Sequence, residues 1–376
     1  MTRISLKVLV PLMALTICSC ASSPSQEDAA TSQPDSVLYA RGFQIRHFDE
    51  YTAVSLRDPW DTLKVRQTYI LVEKDRPLPE NLPEGIVVRT PVERAIVYTS
   101  VHCAVLEQLA CSGKIIGVCE SEYISSPEIL SGVASGSIAD IGLSTAPDVE
   151  KIIDLGAEMI IASPFQNSGY GAAEKLGIPI LEAADYMENH PLGRTEWCLL
   201  FGLFFGKRAE ADSIFHSTMN RYLELKRLSC EAAEKPSVLL ELKYGSAWLV
   251  PSGESYIGTF HRDAGGDYIF KDITGSDNAV IPFEKVFDVA SDADFWLFKY
   301  ASRSNITYKD LEKEYQPYSN FRAFKEKKIY VCNTMHTSYY DDLTIHPDRI
   351  LEDFIFIYHP ELLPGYSPKY YFPLQQ

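Results

Sequence analysis

Residues 207–230 read KRAEADSIFHSTMNRYLELKRLSC and carry the strongest helical signal in the chain. Apolar and small residues recur there at i, i+3, i+4, i+7, i+11 and i+14, namely Ala211, Ile214, Phe215, Thr218, Tyr222 and Leu225. This spacing puts them on one stripe of a helix, with charged residues on the opposite face. At 1.5 Å per residue the helix spans roughly 36 Å, which is longer than one packed layer needs. Its place in the middle of 376 residues predicts a rigid connection between two lobes.

The two halves that flank this helix share one pattern, in which short apolar strands alternate with helices. Such alternation predicts βαβ units and mainly parallel sheets flanked by helices. We therefore predict an α/β protein with lobes at 37–206 and 234–376, joined by a connecting helix at 207–233. The predicted strands lie at 95–98, 114–118, 159–162, 178–181, 237–242, 248–250, 295–298 and 329–331, and the predicted helices at 101–112, 148–155, 172–176, 256–264, 282–290 and 347–358.

The first lobe begins with a β-rich preface at 37–90. Its runs at 43–48 and 68–72 alternate between turn signals, and this pattern predicts antiparallel, half-exposed strands. Pro77, Pro79 and Pro83 then break the chain before the first α/β unit.

The amino terminus has the charge order of an export signal. Arg3 and Lys7 precede an apolar run at 8–17, which is too short to span a bilayer. The run ends in Ile17-Cys18-Ser19-Cys20, which resembles the bacterial lipobox. We predict a signal peptide at 1–19, a lipidated Cys20 and a flexible polar tether through residue 36; a plain signal peptide is the alternative.

The charge balance argues against two classes of function, a nucleic-acid-binding protein and a polybasic membrane-surface module. Lys and Arg number 35 against 51 Asp and Glu, so the formal net charge is −16. Nucleic-acid binding needs a concentrated basic surface, and we therefore expect no nucleic-acid partner. Six cysteines follow Cys20 without a CxxC pair; an exported compartment permits disulfides, but buried free thiols fit equally well.

Motifs for catalysis or resident cofactors are weak, so we predict no enzyme and no cofactor. The run GESYIG at 253–258 has one residue too many for a GxSxG elbow. In GYGAAE at 169–174, Glu174 stands where a dinucleotide fingerprint needs its third glycine, and no P-loop is present. His102 and His336 both follow predicted strands, but zinc normally takes three or four protein ligands.

Several stretches resemble, in their order and spacing, the segments of one known family. They are RAIVYTSVHC at 94–103, KIIGVC at 114–119, PDVEKIIDLGAEMIIAS at 147–163, GIPIL at 177–181, PLGRTEW at 191–197 and PSGESYIGTFHRDAGGDYIFKD at 251–272. The family is that of the periplasmic binding lipoproteins of ABC importers, which capture iron–siderophore complexes, haem or cobalamin between two lobes joined by one long helix. The resemblance runs from about Tyr39 to the carboxyl terminus. One departure is Ala157-Glu158, where the family usually has Pro-Asp.

The resemblance implies a ligand in the cleft between the lobes, at the carboxyl ends of the strands. Arg194, in a loop-like PLGR run that leads into an aromatic-rich helix, would pair with carboxylates of an anionic chelate. Its replacement by alanine would then weaken binding without a large loss of melting temperature in the apo form. Aromatic side chains would cover the apolar face of the ligand, although each aromatic could equally belong to the core. The candidate ligand-binding residues are Ser100, His102, Phe165, Gln166, Arg194, Trp197, Trp248, Ser255, Tyr256, Lys299, Tyr300, His336, Tyr339 and Tyr340.

The resemblance also implies partners and a location. Glu150 and Glu284, each at the start of a predicted helix on its own lobe, would dock on an ABC permease whose ATPase subunits are separate chains. We expect a monomer, held by its lipid on the periplasmic side of a bacterial membrane and closing only slightly around ligand.

The sequence leaves the ligand open. An iron–siderophore complex is the first hypothesis, and haem or cobalamin is the alternative by the same mechanism. Haem would take an axial Tyr or His, and candidates of both kinds are present. A more distant alternative is an exported α/β enzyme that uses the interlobe cleft, and a third is a surface adhesin or scaffold.

Overall fold

Each half of the chain contains a five-stranded, mainly parallel sheet, and one long helix connects the two halves. The computed structural model describes residues 33–275 and 277–376, so the predicted signal peptide and Cys20 lie outside the described residues. The predicted two-lobe α/β architecture with a β-rich preface is confirmed. In the part of the chain that is described, no helix combines the length and apolar character needed to cross a membrane.

The preface is a five-stranded sheet packed on the first lobe. Its strands, in sheet order, are β1 (Gln33–Pro34), β2 (Phe43–His47), β3 (Thr52–Arg57), β4 (Val65–Glu73) and β5 (Ile86–Thr90). The prediction of antiparallel strands holds for β1 to β4, but β5 pairs parallel to β4. The twelve residues between β4 and β5 carry the chain back along the sheet instead of forming a tight hairpin.

The first lobe has a sheet of order β12-β11-β6-β7-β8, with all pairs parallel. Its strands are β6 (Ala95–Val97), β7 (Ile115–Val118), β8 (Ala139–Asp140), the short hairpin β9 (Gly142–Leu143) and β10 (Ala146–Pro147), β11 (Met159–Ala162) and β12 (Ile180–Glu182). Its helices are α1 (Ser100–Gln108), α2 (Pro127–Ser135), α3 (Val149–Leu155), α4 (Pro191–Glu196) and α5 (Cys198–Phe205).

Three local predictions in this lobe are wrong in detail. The helix predicted at 101–112 ends at Gln108, because Ala110 adopts a left-handed backbone with φ 54°. The helix predicted at 172–176 is a 3-10 turn over Gly171–Leu176. The PLGR run, predicted as a loop, is the first turn of α4, where Pro191 occupies a position that needs no N–H donor.

Two buried carboxylates attach the preface to α4. Glu196, which is 0% exposed, accepts the backbone N–H groups of Leu38, Tyr39 and Ala40 at 2.6, 2.7 and 2.7 Å. Glu188 accepts the N–H of Gly42 at 2.9 Å and the indole N–H of Trp197 at 2.9 Å. A buried carboxylate must be satisfied by such donors, so the glutamate and tryptophan of the PLGRTEW run have a structural role here.

The connecting helix is α6 (Arg208–Ser229), which ends before residue 233. Five of the six stripe residues predicted for it are buried, and Ile214 is half-buried. The stripe faces α5 of the first lobe and α12 (Pro347–Tyr358) of the second, because α6 packs against both helices.

The second lobe has a sheet of order β16-β13-β18-β19-β20, in which only the edge strand β20 is antiparallel. Its strands are β13 (Ser237–Leu240), β14 (Lys243–Tyr244), β15 (Ala247–Val250), β16 (Asp267–Tyr268), β17 (Ala279–Pro282), β18 (Phe295–Tyr300), β19 (Ile329–Asn333) and β20 (Phe372–Pro373). Besides α12, its helices are α7 (Tyr256–Asp263), α8 (Phe283–Ala290), α9 (Tyr308–Glu314), α10 (Arg322–Lys325) and α11 (Tyr339–Ile345). The strand predicted at 248–250 lies in a separate antiparallel sheet, β14-β15-β17.

The two lobes touch through α11, which packs against α1. Ile345 is 1% exposed and belongs to the core of the first lobe, although it lies on a helix of the second. Ser125 donates a hydrogen bond to Asp341, and the Gln108 amide oxygen lies 3.4 Å from Nε2 of His346. Contacts of this kind, added to the rigid α6, oppose a wide separation of the lobes.

The six cysteines after residue 20 form no disulfide with one another. Five are buried, and Cys230 is exposed. The open question of disulfides against buried thiols is thereby resolved for these six in favour of thiols that fill core positions.

A buried histidine predicts acid lability. His261 is 2% exposed, and its Nδ1 lies 2.6 Å from the Tyr358 hydroxyl. Burial, together with the Lys299 charge, lowers its pKa from the usual 6.5 to about 3. Between pH 6.5 and about 3, His261 is protonated in the unfolded chain but stays neutral in the folded chain. The free energy of unfolding therefore decreases as the pH falls. The expected slope from this group is about 1.4 kcal/mol per pH unit below pH 6.5.

The measurement is the free energy of urea unfolding between pH 7.5 and 4.5. His261→Phe keeps a ring in the core but cannot titrate, so the pH dependence should flatten by about one proton. His216, which is exposed on α6, provides the control His216→Gln. An unchanged slope in His261→Phe would show that other groups cause the acid lability.

Candidate functional site

A large cleft lies where the second lobe's central strands end. It has a volume of about 670 Å³, within the range common for small-molecule sites. Glu241 follows β13 directly, and Lys299 lies near the end of β18, so parallel strands deliver both side chains to one edge. The cleft is lined by Glu241, Leu242, Lys243, Tyr244, Leu249, Pro251, Ser255, Tyr256, Ile257, Asp277, Asn278, Lys299 and Glu314.

Lys299 is the central cation of this cleft. Its ammonium contacts the Glu241 carboxylate and lies 6.0 Å from the centre of the Tyr339 ring. Burial disfavours its charge, but the Glu241 carboxylate more than offsets this effect, and the pKa of Lys299 is raised. Glu241 has a left-handed backbone with φ 63°, an uncommon conformation for a residue other than glycine. That conformation turns the chain sharply where β13 ends.

Arg194 reaches this region from α4 in the first lobe. Its guanidinium carbon lies 5.0 Å from the ring centre of Tyr256, the first residue of α7, which is cation–π geometry across the lobe junction. One guanidinium nitrogen lies 3.5 Å from Oδ2 of Asp185, and Arg194 is only 6% exposed. Its Nε atom has no hydrogen-bond partner among the described residues.

Asp185 connects Arg194 to a buried histidine. Its Oδ1 lies 2.9 Å from Nε2 of His102, and both residues are at most 2% exposed. Burial raises the pKa of Asp185, but the hydrogen bond and charge of His102 and the charge of Arg194 outweigh it, so the pKa is lowered. Asp185 therefore stays ionised and holds Arg194 in place.

Two tyrosines complete the site from α11. Tyr339 is 0% exposed and Tyr340 is 47% exposed, and their ring centres lie 5.4 Å apart. Burial raises the pKa of both phenols, so both are neutral hydrogen-bonding groups at neutral pH. We define the interlobe cluster as the two cations, one carboxylate and three phenols at this junction: Arg194, Glu241, Tyr256, Lys299, Tyr339 and Tyr340.

The sequence-predicted residues divide between this cluster and other places. Arg194, Tyr256, Lys299, Tyr339 and Tyr340 come together. Ser255 lines the same cleft, but its hydroxyl caps α7 by accepting the N–H of Gly258 at 3.1 Å.

Four candidates are held by structural contacts. Trp197 and Trp248 are at most 1% exposed, and the indole N–H of Trp248 donates to the Leu240 carbonyl at 2.8 Å. His102 contacts Asp185 and not the cleft, and Ser100 is the first residue of α1, whose N-cap is Thr99. The core positions of the two tryptophans, and the first-turn position of Ser100, remove these three from the site that we propose.

The last four candidates lie apart from the cluster. Phe165, which is 56% exposed, and Gln166 lie on a loop after β11, with the Phe165 ring 6.2 Å from that of Tyr186. Tyr300 and His336 line a separate pocket of about 330 Å³ beside β20. The two histidines named as possible metal ligands, His102 and His336, thus lie in different surroundings. No group of three or more His, Cys, Asp or Glu side chains suited to a metal occurs within residues 33–275 and 277–376.

Sequence reasoning missed Glu241, Asp185 and Tyr244. Glu241 fell inside the strand predicted at 237–242, whereas β13 ends at Leu240 and leaves Glu241 at the carboxyl edge of the sheet. Asp185 follows β12 by three residues, and this position was a usable signal. Tyr244 is 80% exposed on β14, a two-residue strand that alternation cannot reveal.

Two α/β lobes joined by one long helix, with a polar cleft at the strand ends of the second lobe, are the architecture of a solute-binding class of protein. Comparison with known families gives the same answer. The Periplasmic binding protein family matches residues 97–334, which is more than half of the chain. The chain belongs to this family, whose members are substrate-binding transport proteins.

A full-length relative and two solved structures extend the comparison. An uncharacterized lipoprotein of Methanocaldococcus jannaschii is 28% identical over 360 residues, covering 89% of this chain and 84% of the relative. A possible iron-binding (periplasmic solute-binding) protein from Staphylococcus epidermidis has a TM-score of 0.57 at 13% identity, covering 72% of this chain and 100% of that one. A periplasmic haem-binding protein from Pseudomonas aeruginosa has a TM-score of 0.56 at 15% identity, covering 74% and 96%. At these identities the two structures share the fold alone.

Proposed function

We propose that the protein captures an anionic iron chelate of the siderophore class in the cleft between its lobes and delivers it to the permease of an ABC importer. The observation that carries this proposal is the interlobe cluster, in which Arg194 from one lobe and Lys299 from the other meet three tyrosines beside a cleft of about 670 Å³. Haem or cobalamin, bound by the same mechanism, is the alternative.

The chemistry of the cluster supports an anionic, partly apolar ligand. Lys299 lines the cleft and is held charged by Glu241, so it can contact ligand carboxylates or oxyanions, and Arg194 adds a second positive charge beside the Tyr256 ring. Tyr340 and Tyr244 offer exposed ring faces of the kind that cover a chelate or macrocycle. The iron belongs to the ligand and needs no protein donor set of its own.

The packing between the lobes supports a small closure on binding. The rigid helix α6 and the contacts of α11 with α1 limit the opening to side-chain and loop adjustments near the cluster. Tyr256 and Tyr340 lie on elements of the second lobe that face the first, so a modest tilt would change their distance to Arg194.

An enzymatic role would need a nucleophile aligned with a base, and among residues 33–275 and 277–376 we identify no such pair beside the cleft. The buried Asp185–His102 pair is the nearest approach to a catalytic dyad, but His102 Nδ1 has no hydrogen-bond partner among the described residues. A nucleophilic triad needs a hydroxyl or thiol at that second nitrogen. The pair is also sealed from solvent and positions Arg194.

The test of the proposal is to purify the protein from its native cells and record an absorption spectrum and a mass spectrum. A ferric chelate, haem and a corrinoid absorb visibly and differently. Recovery of a ferric chelate that rebinds to the stripped protein in a one-to-one ratio is the expected result. Recovery of haem or a corrinoid would select the alternative ligand, and a colourless protein that binds none of the three would refute the proposed function.

The lipid anchor is a separate prediction. We expect Cys20 to carry the lipid, because the apolar run at 8–17 ends in Ile17-Cys18-Ser19-Cys20 ahead of a polar tether. Labelling of growing cells with palmitate should mark the wild-type protein and leave Cys20→Ala unmarked. Cys18→Ala is the matched control and should keep its label. Equal labelling of wild type and Cys20→Ala would exclude this anchor.

A further inference from the structure

A second cleft lies on the preface and is lined by more basic than acidic side chains, whereas the protein as a whole is acidic. Its volume is about 510 Å³, and it opens where β1, β2 and β3 meet the chain that leads into the first lobe. Three arginines line it, in a protein whose formal net charge is −16. The complete lining is Pro34, Asp35, Val37, Ala40, Arg41, Phe43, Gln44, Ile45, Arg46, Arg57 and Thr62.

The three arginines are Arg41, Arg46 and Arg57, and none forms an ion pair with any residue in 33–275 or 277–376. The one carboxylate in the lining, Asp35, is already engaged: Arg208 contacts it, and His47 Nε2 lies 3.4 Å from it. Arg66, further along the same sheet, contrasts with them, since it makes a two-point pair with Glu182 at 2.6 and 2.7 Å. Arg41 also lines a neighbouring cleft beside His190, so Arg46 and Arg57, with Arg41 at the border between the two clefts, form a site for an anion.

The position of the cleft in the chain indicates which anion. The described chain begins at Gln33, and Gln33 and Pro34 form β1, which pairs with His47 and Arg46 of β2. Gln33 and Pro34, which the sequence places in the flexible tether, therefore lie in the preface sheet at the wall of the cleft, and the chain before them leads back to Cys20. From Cys20 to Gln33 the tether can extend by roughly 45 Å at most, so a body anchored at Cys20 stays within that distance of lipid headgroups.

An exposed apolar side chain accompanies the arginines. Leu63 is 96% exposed and directly follows Thr62 in the cleft lining, and Val65 at the start of β4 is 61% exposed. Arginines beside a protruding leucine are the combination that holds a protein surface in the headgroup region of an anionic membrane.

We propose that the cleft of Arg41, Arg46 and Arg57 binds the phosphate groups of anionic lipids and docks the preface on the membrane surface. This inference rests on the proposed lipid anchor at Cys20, which brings the cleft to the membrane. Docking through the preface fixes one end of the body at the bilayer, so the anchored protein meets a membrane partner in a limited set of orientations. It also gives the preface a role distinct from ligand binding.

The experiment separates the cleft from both the anchor and the ligand. The chain from residue 20 with Cys20→Ser, which cannot be lipidated, is sedimented with vesicles of pure phosphatidylcholine or of phosphatidylcholine with one third phosphatidylglycerol. The protein should bind the anionic vesicles and ignore the neutral ones, and salt should weaken the binding. Replacing all three arginines by glutamine should weaken it roughly 100-fold, because each basic side chain near an anionic surface contributes about one kcal/mol.

Matched variants test whether the effect comes from the positive charge and from its position in this cleft. Arg41→Lys, Arg46→Lys and Arg57→Lys together keep the charge and should keep most of the binding. Arg303→Gln, Lys309→Gln and Lys313→Gln, all exposed on the second lobe, remove the same charge elsewhere and should leave it unchanged. An equal loss in this control would reduce the effect to net charge and overturn the proposal. Saturable binding of inorganic phosphate without vesicle binding would also overturn the proposal, because it would assign the cleft to a free anion. Loss of uptake in the arginine variant without a change in vesicle binding would overturn it too, because it would assign the cleft to the permease. Palmitate labelling reports on the anchor independently of all these outcomes.

Discussion

Reversing Glu150 and Glu284 to lysine together should abolish uptake of the ligand by cells and leave the affinity of the purified protein unchanged. Both residues are exposed, and each lies in the first turn of a helix, α3 in the first lobe and α8 in the second. Neither forms an ion pair among residues 33–275 and 277–376, although exposed neighbours such as Asp148 do. Two free carboxylates, one on each lobe, suit docking on a permease that presents two cationic sites.

The effect should be large because charge reversal does more than remove an attraction. Each lysine would face a like charge on the partner, and like charges placed together at an interface cost several kcal/mol. A helix's first turn favours a carboxylate on its own account, through the helix dipole, so each residue taken singly has a simpler explanation. The double variant tests the pair.

The control for this prediction reverses two other exposed glutamates, Glu84 on the preface and Glu312 on α9. It changes the net charge equally, and uptake should stay normal. Normal transport by Glu150→Lys, Glu284→Lys would refute the docking role. A large loss of ligand affinity in that variant would instead place the residues in the binding cleft.

Replacing Arg194 by alanine should weaken binding of the ligand recovered from native cells by about 10- to 150-fold, the loss of a charge-assisted contact worth about 1.5–3 kcal/mol. The arginine lies over Tyr256 of the opposite lobe, so its removal takes away both a cation beside the cleft and the bridge between the lobes. Affinity is measured by titration of the stripped protein.

The structure changes one part of what the sequence predicts for this variant. An arginine in a loop could be removed without a large change in melting temperature, but Arg194 is buried and pairs with Asp185 at 3.5 Å. Its loss leaves the buried Asp185 carboxylate with His102 as its remaining side-chain hydrogen-bond partner, so the apo protein should also melt lower. Arg194→Lys separates the two roles, since it keeps the charge beside Asp185 but loses the planar fork that can hold a carboxylate at two points.

The exposed Tyr340 provides a second way to separate ligand binding from stabilisation of the apo protein. Tyr340→Ala should weaken the ligand with little change in melting temperature, because the ring is 47% exposed. If Arg194→Ala lowers the melting temperature and keeps full affinity, Arg194 is structural. If Tyr340→Ala also keeps full affinity, the ligand does not occupy the interlobe cluster.

The two-lobe α/β architecture could be predicted from local patterns in the sequence. The stripe in 207–230 and the strand–helix alternation on both sides are local, periodic signals, and local periodicity reports which face of an element is buried. Strand β11 and helix α12 have the predicted bounds, and the buried stripe of α6 is the predicted one except for the half-buried Ile214. The motifs of the resembled family are also local, which is why the family could be identified from them.

Which of the candidate residues lie together depends on tertiary packing. Trp197 and Trp248 look like ligand-stacking residues in sequence, but the fold seals both in hydrophobic cores with their N–H groups satisfied. Arg194, Lys299 and Tyr340 lie far apart in the chain and meet because α4, β18 and α11 converge at the lobe junction. This convergence depends on how the lobes pack, and it cannot be predicted from the spacing of residues within one segment. The preface cleft depends in the same way on pairing between strands, which brings Arg46 of β2 and Arg57 at the end of β3 into one sheet beside β1.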